Sequence, residues 1–138
     1  MTIDAKSGTD LATLDFATDV VTKSLTLLNF EDTTMYVNGD FTGYMFDSGP
    51  ISQATITGTF TVTSEIDAAA INTMLIGGDL AGLINVVGLF NRLTVDGGTP
   101  GEIIAGDVNV ITVLAGYGNK VLQAVSYTHL TLPTKRIV

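Results

Sequence analysis

The clearest pattern along the chain is a six-residue block of apolar and polar positions that recurs. The block reads apolar, Asn or Ser, any residue, apolar, usually Thr, apolar, at residues 51–56, 71–76, 90–95 and 108–113. Its starts are 20, 19 and 18 residues apart. The second half alternates with the period of a β-strand, and the repeat is too short for helix-pair repeats. We therefore predict an all-β chain, a parallel β-solenoid with coils of about 18–20 residues.

The alternation also predicts which side chains form the core, because coils stacked about 4.8 Å apart align equivalent residues into columns. The apolar residues that flank the Thr position are predicted to point inward: Met35/Val37, Ala54/Ile56, Met74/Ile76, Leu93/Val95 and Ile111/Val113. The residues between them are predicted to face solvent: Tyr36, Thr55, Leu75, Thr94 and Thr112. Beyond a Gly-rich turn, two more inward columns are predicted: Phe41, Phe60, Leu80, and then Met45, Ile66, Ile84, Ile104.

A polar column occupies the second position of each block, at Ser52, Asn72, Asn91 and Asn109. Asn tolerates unusual backbone angles, and its amide can both donate and accept hydrogen bonds. We interpret the column as a structural ladder that satisfies a tight bend. The alternative is a row of amides that binds a ligand.

The repeat divides the chain into three parts. Residues 35–124 form the predicted solenoid, and residues 1–34 fit the repeat poorly, so we expect an irregular N-terminal coil or cap there. Residues 125–138, VSYTHLTLPTKRIV, hold the sole His and none of the acids. This string resembles translated sequencing-adapter read-through at the end of a gene fragment from environmental DNA. The resemblance implies a non-native tail, whereas the alternative is an ordinary C-terminal strand with a turn at Pro133.

If the tail is foreign, the natural repeats continue beyond about Gln123 and the solenoid ends here without a cap. Solenoids need polar caps over their end ladders, and an open strand edge is a template for pairing. We therefore expect the isolated chain to associate end to end.

Charge and composition exclude several classes of function. The net charge is −8, and the six basic residues are scattered, so no positive face is available for nucleic acid. No apolar run reaches the roughly 18 residues of a membrane span, and no signal peptide precedes the repeats. The absence of Cys excludes thiolate chemistry, and a single histidine, His129, excludes sites with two imidazoles. No cofactor is predicted.

Carboxylates are the remaining candidates for chemistry. Asp40 and Asp79 occupy equivalent Gly-Asp turns two coils apart, about 9.6 Å, which is near the upper limit for an inverting glycosidase pair. Asp107 is a third catalytic candidate. Asp79, Asp96 and Asp107 are candidate calcium ligands, since carboxylates and turn carbonyls bind Ca²⁺. Turn formation and solubility explain the same residues, and neither catalysis nor a metal site is our preferred interpretation.

Alternate threonines occupy positions 57, 59, 61 and 63. Flat threonine arrays can order water and bind ice. Here the cross-coil column is interrupted by Tyr36 and Leu75, and strand propensity accounts for the threonines.

Residues 78–82, 90–95, 105–113 and 116–123 resemble repeat regions of large secreted or surface-attached bacterial proteins. The resemblance covers residues 35–123 and implies a right-handed parallel β-helix at the cell surface or outside the cell. It favours a non-enzymatic structural or adhesion-type segment, with glycans or cell-surface components as partners. Two alternatives remain: a polysaccharide-active fragment that uses Asp carboxylates, and an ice- or surface-binding solenoid.

Overall fold

The computed structural model describes residues 1–114, 116–117 and 122–131 of the chain. Parallel strands account for most of these residues. They are β1 (Thr2–Asp4), β2 (Asp10–Phe16), β3 (Val20–Leu28), β4 (Phe30–Val37), β5 (Phe41–Ile56), β6 (Glu65–Ile76), β7 (Leu83–Val95), β8 (Gly98–Thr99), β9 (Glu102–Val113), β10 (Gly116–Tyr117) and β11 (Leu122–Thr131). The described residues contain no helix, and thus none long and apolar enough to cross a membrane.

The strands stack as a β-solenoid of about six turns, which confirms the predicted fold class. Each long strand pairs in parallel with the equivalent strand of the next coil, in the order β5, β6, β7, β9, β11. The repeating blocks align residue for residue: Ala54 pairs with Met74, Met74 with Leu93, and Leu93 with Ile111. The spacing of the blocks in the sequence is therefore the length of one coil.

Each coil has three sides. A long strand forms two of them and bends at a corner where the pairing register shifts, between Asp47 and Pro50 in β5 and between Ala68 and Ile71 in β6. The Gly-rich turns form the third side and carry short parallel bridges from Phe41 to Phe60 and from Phe60 to Leu80.

The interior is a stack of apolar columns, and the predicted inward pairs are all buried. Phe41, Phe60 and Leu80 are fully buried as predicted, and the rings of the two phenylalanines stack with centroids 5.5 Å apart. One position in the third column was predicted wrongly. The residue paired with Ile84 is Ile103, which is buried, whereas Ile104 is partly exposed on the outer face. A slip of one residue reverses the side of the sheet to which a side chain points.

Residues 1–34 contain β1, β2, β3 and part of β4, all in parallel register with later coils. Irregularity is present at the register shifts between Asp10 and Leu11 and between Thr22 and Leu25. Asp4 joins this end to the next coil, since its Oδ1 accepts hydrogen bonds from Asn29 Nδ2 at 2.8 Å and from Lys6 N at 2.9 Å. These bonds, led by that of Asn29, lower the pKa of Asp4.

Of the predicted tail, residues 125–131 lie in β11, which pairs in parallel with β9. The register places Ser126 beside Asp107 and His129 beside Val110. Residues 132–138, which include Pro133, lie outside the described residues.

Candidate functional site

Asp40 and Asp79, two of the three catalytic candidates, belong to a ladder of turn residues. Asp40 Oδ1 accepts a hydrogen bond from Thr59 N at 2.8 Å, and Asp79 Oδ1 accepts one from Gly98 N at 2.8 Å. Thr59 Oγ1 accepts from Asp79 N at 3.3 Å, and Asp19 Oδ1 accepts from Asp40 N at 2.8 Å. Each side-chain oxygen therefore holds the backbone of the next coil.

Glycines in the same turns make room for these oxygens. A Cβ on Gly39, Gly58 or Gly97 would collide with Oδ1 of Asp19, Asp40 or Asp79, respectively, one coil earlier. Contacts with the two adjacent coils therefore explain both residues of the Gly-Asp sequence. The aspartate accepts a hydrogen bond from a backbone amide of the next coil, and the glycine leaves room for a side chain of the preceding coil.

The structure does not bring the three catalytic candidates into one opening. Asp40 and Asp79 lie in turns separated by Thr59, and one oxygen of each is engaged with a backbone amide. Asp107 is exposed at the opposite end of the block strand, beside Leu89. The six residues between it and the turn span about 20 Å of extended chain.

The calcium candidates are also dispersed. Asp96 begins the turn above Asp79, where its backbone N donates to Ile76 O at 2.9 Å, while Asp107 lies at the far corner. Among the residues that the structure describes, no three His, Cys, Asp or Glu side chains are grouped closely enough to hold a metal ion.

The asparagine column forms hydrogen bonds from coil to coil. Asn91 Nδ2 donates to Asn72 Oδ1 at 3.0 Å, and Asn109 Nδ2 donates to Asn91 Oδ1 at 2.9 Å. Ser52 is oriented towards the preceding coil, where its Oγ lies 3.2 Å from Thr34 Oγ1 and 3.4 Å from Thr33 O. The amides that sequence alone left open as ligand groups are thus joined to one another.

Replacing the central asparagine tests this ladder. We expect Asn91→Ala to lower the free energy of unfolding by about 1 kcal/mol, because it removes one donor and one acceptor from an exposed row. A double-mutant cycle with Asn72→Ala, read by urea unfolding, should give a coupling of about 0.5 kcal/mol or more. Additive effects of the two substitutions would show that the bond contributes nothing to stability.

The threonine row at 57–63 does not form a free flat array. Thr57 Oγ1 donates to Asn38 Oδ1 at 3.4 Å, and Thr61 Oγ1 donates to Thr42 Oγ1 at 3.0 Å. Thr61 Oγ1 also lies 2.8 Å from Ser64 Oγ, which in turn donates to Phe41 O at 3.0 Å. These hydroxyls help to close the corner between the turn and β6.

A polar cluster that sequence analysis missed lies on the outer face of β5 and β6. Tyr44 Oη donates to Asp67 Oδ2 at 2.8 Å, and Glu65, two residues before Asp67 on the same strand, faces the same way. Tyr44 pairs directly with Glu65 across the strands. Asp67 Oδ1 is buried and has no hydrogen-bond partner. The only sequence signal was the spacing of two acids at i and i+2, which is common in strands.

Interactions within the cluster raise the pKa values of two of its members, Glu65 and Tyr44. Hydrogen bonding to Asp67, together with partial burial and the Asp67 charge, raises the pKa of Glu65 to about 7. The Asp67 carboxylate also accepts a hydrogen bond from the Tyr44 hydroxyl, and this bond raises the pKa of Tyr44 to about 12. A protonated Glu65 is a hydrogen-bond donor, and an ionised Asp67 is an acceptor for it.

A shallow groove of about 390 Å³ adjoins this cluster. Glu65 and Glu102 line it at opposite ends, with Leu83 between them in the same column. Val62 and Pro100 add apolar surface. The backbone positions of Glu65 and Glu102 are two coils apart, about 9.6 Å.

Comparison with known proteins adds no family to this description. No family model, curated protein or solved structure matches the chain. Because a β-solenoid serves many functions, the function has to be argued from the surface groups themselves.

One acid lies inside the solenoid. Asp47 is 1% exposed, and its Oδ1 accepts a hydrogen bond from Gly49 N at 2.9 Å at the corner of β5. Burial raises its pKa, against the opposing effects of the Thr33 hydroxyl and the Gly49 amide. The Thr33 hydroxyl lies near enough to the Asp47 carboxyl to oppose the rise in its pKa. Neither Asp47 Oδ2 nor Thr33 Oγ1, however, makes a hydrogen bond of ordinary geometry.

Asp47 should therefore destabilise the fold when ionised. Its folded-state pKa is raised, so its favourable contribution is complete below the unfolded-state value and is lost as pH rises through the folded-state value. We expect Asp47→Asn to raise the free energy of unfolding at pH 7.5 by about 1 kcal/mol, with a smaller gain near pH 4. Urea unfolding at both pH values measures this. The control Asp107→Asn removes an equal charge from an exposed site, and an equal gain there would contradict the burial argument.

Proposed function

We propose that the chain is a non-enzymatic structural or adhesion-type segment of a larger extracellular bacterial β-solenoid protein. The observation that carries this proposal is that the polar groups that recur most regularly are engaged in holding the coils together. The turn aspartates and the asparagine column hydrogen-bond to the next coil, so their regularity has a structural cause. The bacterial origin and the location at the cell surface or outside the cell rest on the resemblance of the repeats.

The outer face of the repeating blocks supports the adhesive part of the proposal. Two columns of outward side chains run up the repeating blocks, five coil steps or about 24 Å in height. They are Thr13, Thr34, Gln53, Thr73, Arg92, Val110, and Asp15, Tyr36, Thr55, Leu75, Thr94, Thr112. The charges of Asp15 and Arg92 cancel, so this face is neutral on a chain of net charge −8. A neutral, hydroxyl-bearing face suits glycans or other uncharged components of a cell surface.

Binding and turnover assays test the proposal together. We expect retention on insoluble glycans or on bacterial surfaces, with no product from acidic or neutral glycans in the presence or absence of Ca²⁺. Leu75→Lys should weaken retention, whereas Val87→Lys, at an exposed corner outside this face and outside the groove, should not. Reproducible turnover that Asp79→Asn abolishes would overturn the non-enzymatic proposal.

End-to-end contact with a second copy remains part of the proposal. At the N-terminal end, β2 pairs only with β4 and β1 only with β3, so each offers an unpaired edge among the described strands. Sedimentation at high protein concentration should show species larger than the monomer. A purely monomeric chain would contradict this expectation.

The groove favours a second candidate, a polysaccharide-active segment. Glu65 and Glu102 flank it on strands about 9.6 Å apart, near the upper limit for the two carboxyls of an inverting pair. Glu65, with a pKa of about 7, fits the role of general acid. Loss of glycan turnover in both Glu65→Gln and Glu102→Gln, but not in Asp79→Asn, would support this candidate over the first.

A further inference from the structure

The cluster of Tyr44, Glu65 and Asp67 joins two coils through side chains on the outer face. The phenol of Tyr44 belongs to β5, and the carboxylate that accepts its hydrogen bond at 2.8 Å belongs to β6. Glu65 lies on β6 directly opposite Tyr44. One side-chain contact between these coils therefore ends on a carboxyl that has a second carboxyl as its neighbour on the same strand.

Among the described residues, the side chains directly opposite this pair on the neighbouring strands carry no charge. On β5, Tyr44 and Phe46 face Glu65 and Asp67, and on β7 they are faced by Leu83 and Asn85. Among the described residues, the ion pair present joins Lys6 to Asp4, so neither carboxyl is paired with a cation.

More distant charged groups lie one strand further away on each side. Glu102 of β9 is next in the column of Glu65, and Lys23 is exposed on β3. Glu102 adds negative charge rather than relieving it.

We infer that Glu65 and Asp67 share one proton and form a pH-sensitive lock between the coils of β5 and β6. Asp67 Oδ1 is buried without a partner, and Glu65, two residues earlier on the same face of the strand, carries the other carboxyl of β6, whose proton can serve as the donor. Without that proton, two carboxylates at i and i+2 repel each other, and Asp67 is held by Tyr44 alone. The lock tightens on mild acidification and loosens at alkaline pH. It does not depend on the proposed function.

The chain contains a matched control. Glu102 occupies the same column as Glu65, two coils on, but the position equivalent to Asp67 is Ile104. Glu102 therefore has the same strand environment without a second carboxyl at i+2. A pH effect that belongs to the pair should be present at Glu65 and absent at Glu102.

NMR titration of the side-chain carboxyl carbons in the folded chain tests the inference. We expect Glu65 to titrate near pH 7 and, in Asp67→Asn, at a clearly lower pH that is closer to its ordinary value of 4.5, because the partial burial of Glu65 remains. Titration of Glu65 in the ordinary range in the unmodified chain, or an unchanged value in Asp67→Asn, would overturn the shared proton.

Unfolding measurements provide the second readout. The pKa of Glu65 is higher in the folded state, so its stabilising contribution is complete below about pH 4.5 and is lost as pH rises through about 7. We expect Glu65→Gln, whose neutral amide replaces the shared proton, to raise the urea midpoint at pH 8 and to lose this advantage near pH 5. Glu102→Gln should show no such dependence, and identical profiles for the two variants would overturn the lock.

Discussion

Phe60→Ala should lower the free energy of unfolding by about 3–5 kcal/mol. Phe60 is fully buried, its ring stacks on Phe41, and it bridges to Leu80 on the other side. Truncation removes the middle side chain of the buried column that fills the interior behind the third side of the solenoid. The neighbouring coils cannot collapse into the cavity, because the strands on the other two sides hold their spacing.

Two variants serve as controls for this truncation, all measured by urea unfolding. Phe60→Leu keeps an apolar side chain, like that of Leu80 in the same column, and should lose about 1–1.5 kcal/mol. Val62→Ala changes a residue that is 76% exposed two positions later and should stay within about 0.5 kcal/mol. If Phe60→Ala were no worse than Val62→Ala, the described interior would be wrong.

Gly58→Ala should cost about 3 kcal/mol or more, although it adds one methyl group. The added Cβ would meet Asp40 Oδ1 and would lie 2.7 Å from the backbone C and O of Gly39. The first contact breaks the hydrogen bond from Thr59 N, and the second pushes the turns of adjacent coils apart.

A glycine at a corner provides the comparison for Gly58. The nearest atom to a Cβ on Gly88 is Ala69 O at 3.0 Å, so Gly88→Ala should be within about 1 kcal/mol of the unmodified chain. Asp40→Ala in the Gly58→Ala background should recover only part of the loss, since the contact with the Gly39 backbone remains. Equal effects of Gly58→Ala and Gly88→Ala in urea unfolding would contradict the close stacking of the turns.

The repeating blocks allowed the fold and most of the core to be predicted from sequence. Alternation with period two assigns Met74 and Ile76 to the same side, and the repeat length supplies the partner in the next coil. Ile104 was misassigned because the turn before it contains Pro100 and Gly101 and has no repeated apolar marker to set the register.

The candidate chemistry was less visible in the sequence. Asp40 and Asp79 stood out because they recur at equivalent positions. In a solenoid, the stacking of equivalent turns is itself a reason for a residue to recur, without any shared chemistry. Asp19, the first member of the same ladder, was missed because the corners of the first coils have irregular lengths. The cluster at Tyr44, Glu65 and Asp67 is made of outward residues that do not recur, so no period reveals it.

Distances between spin labels along one outward column test the solenoid most directly, and the lack of Cys makes labelling simple. Asp15→Cys is combined in turn with Leu75→Cys, Thr94→Cys and Thr112→Cys, which lie three, four and five coil steps away in the aligned registers. Pulsed electron resonance should give backbone separations of about 14, 19 and 24 Å, a rise of about 4.8 Å per coil. Distances that fail to rise in equal steps from position 75 to 112 would contradict the parallel stacking on which the core, the ladders and the proton-sharing pair depend.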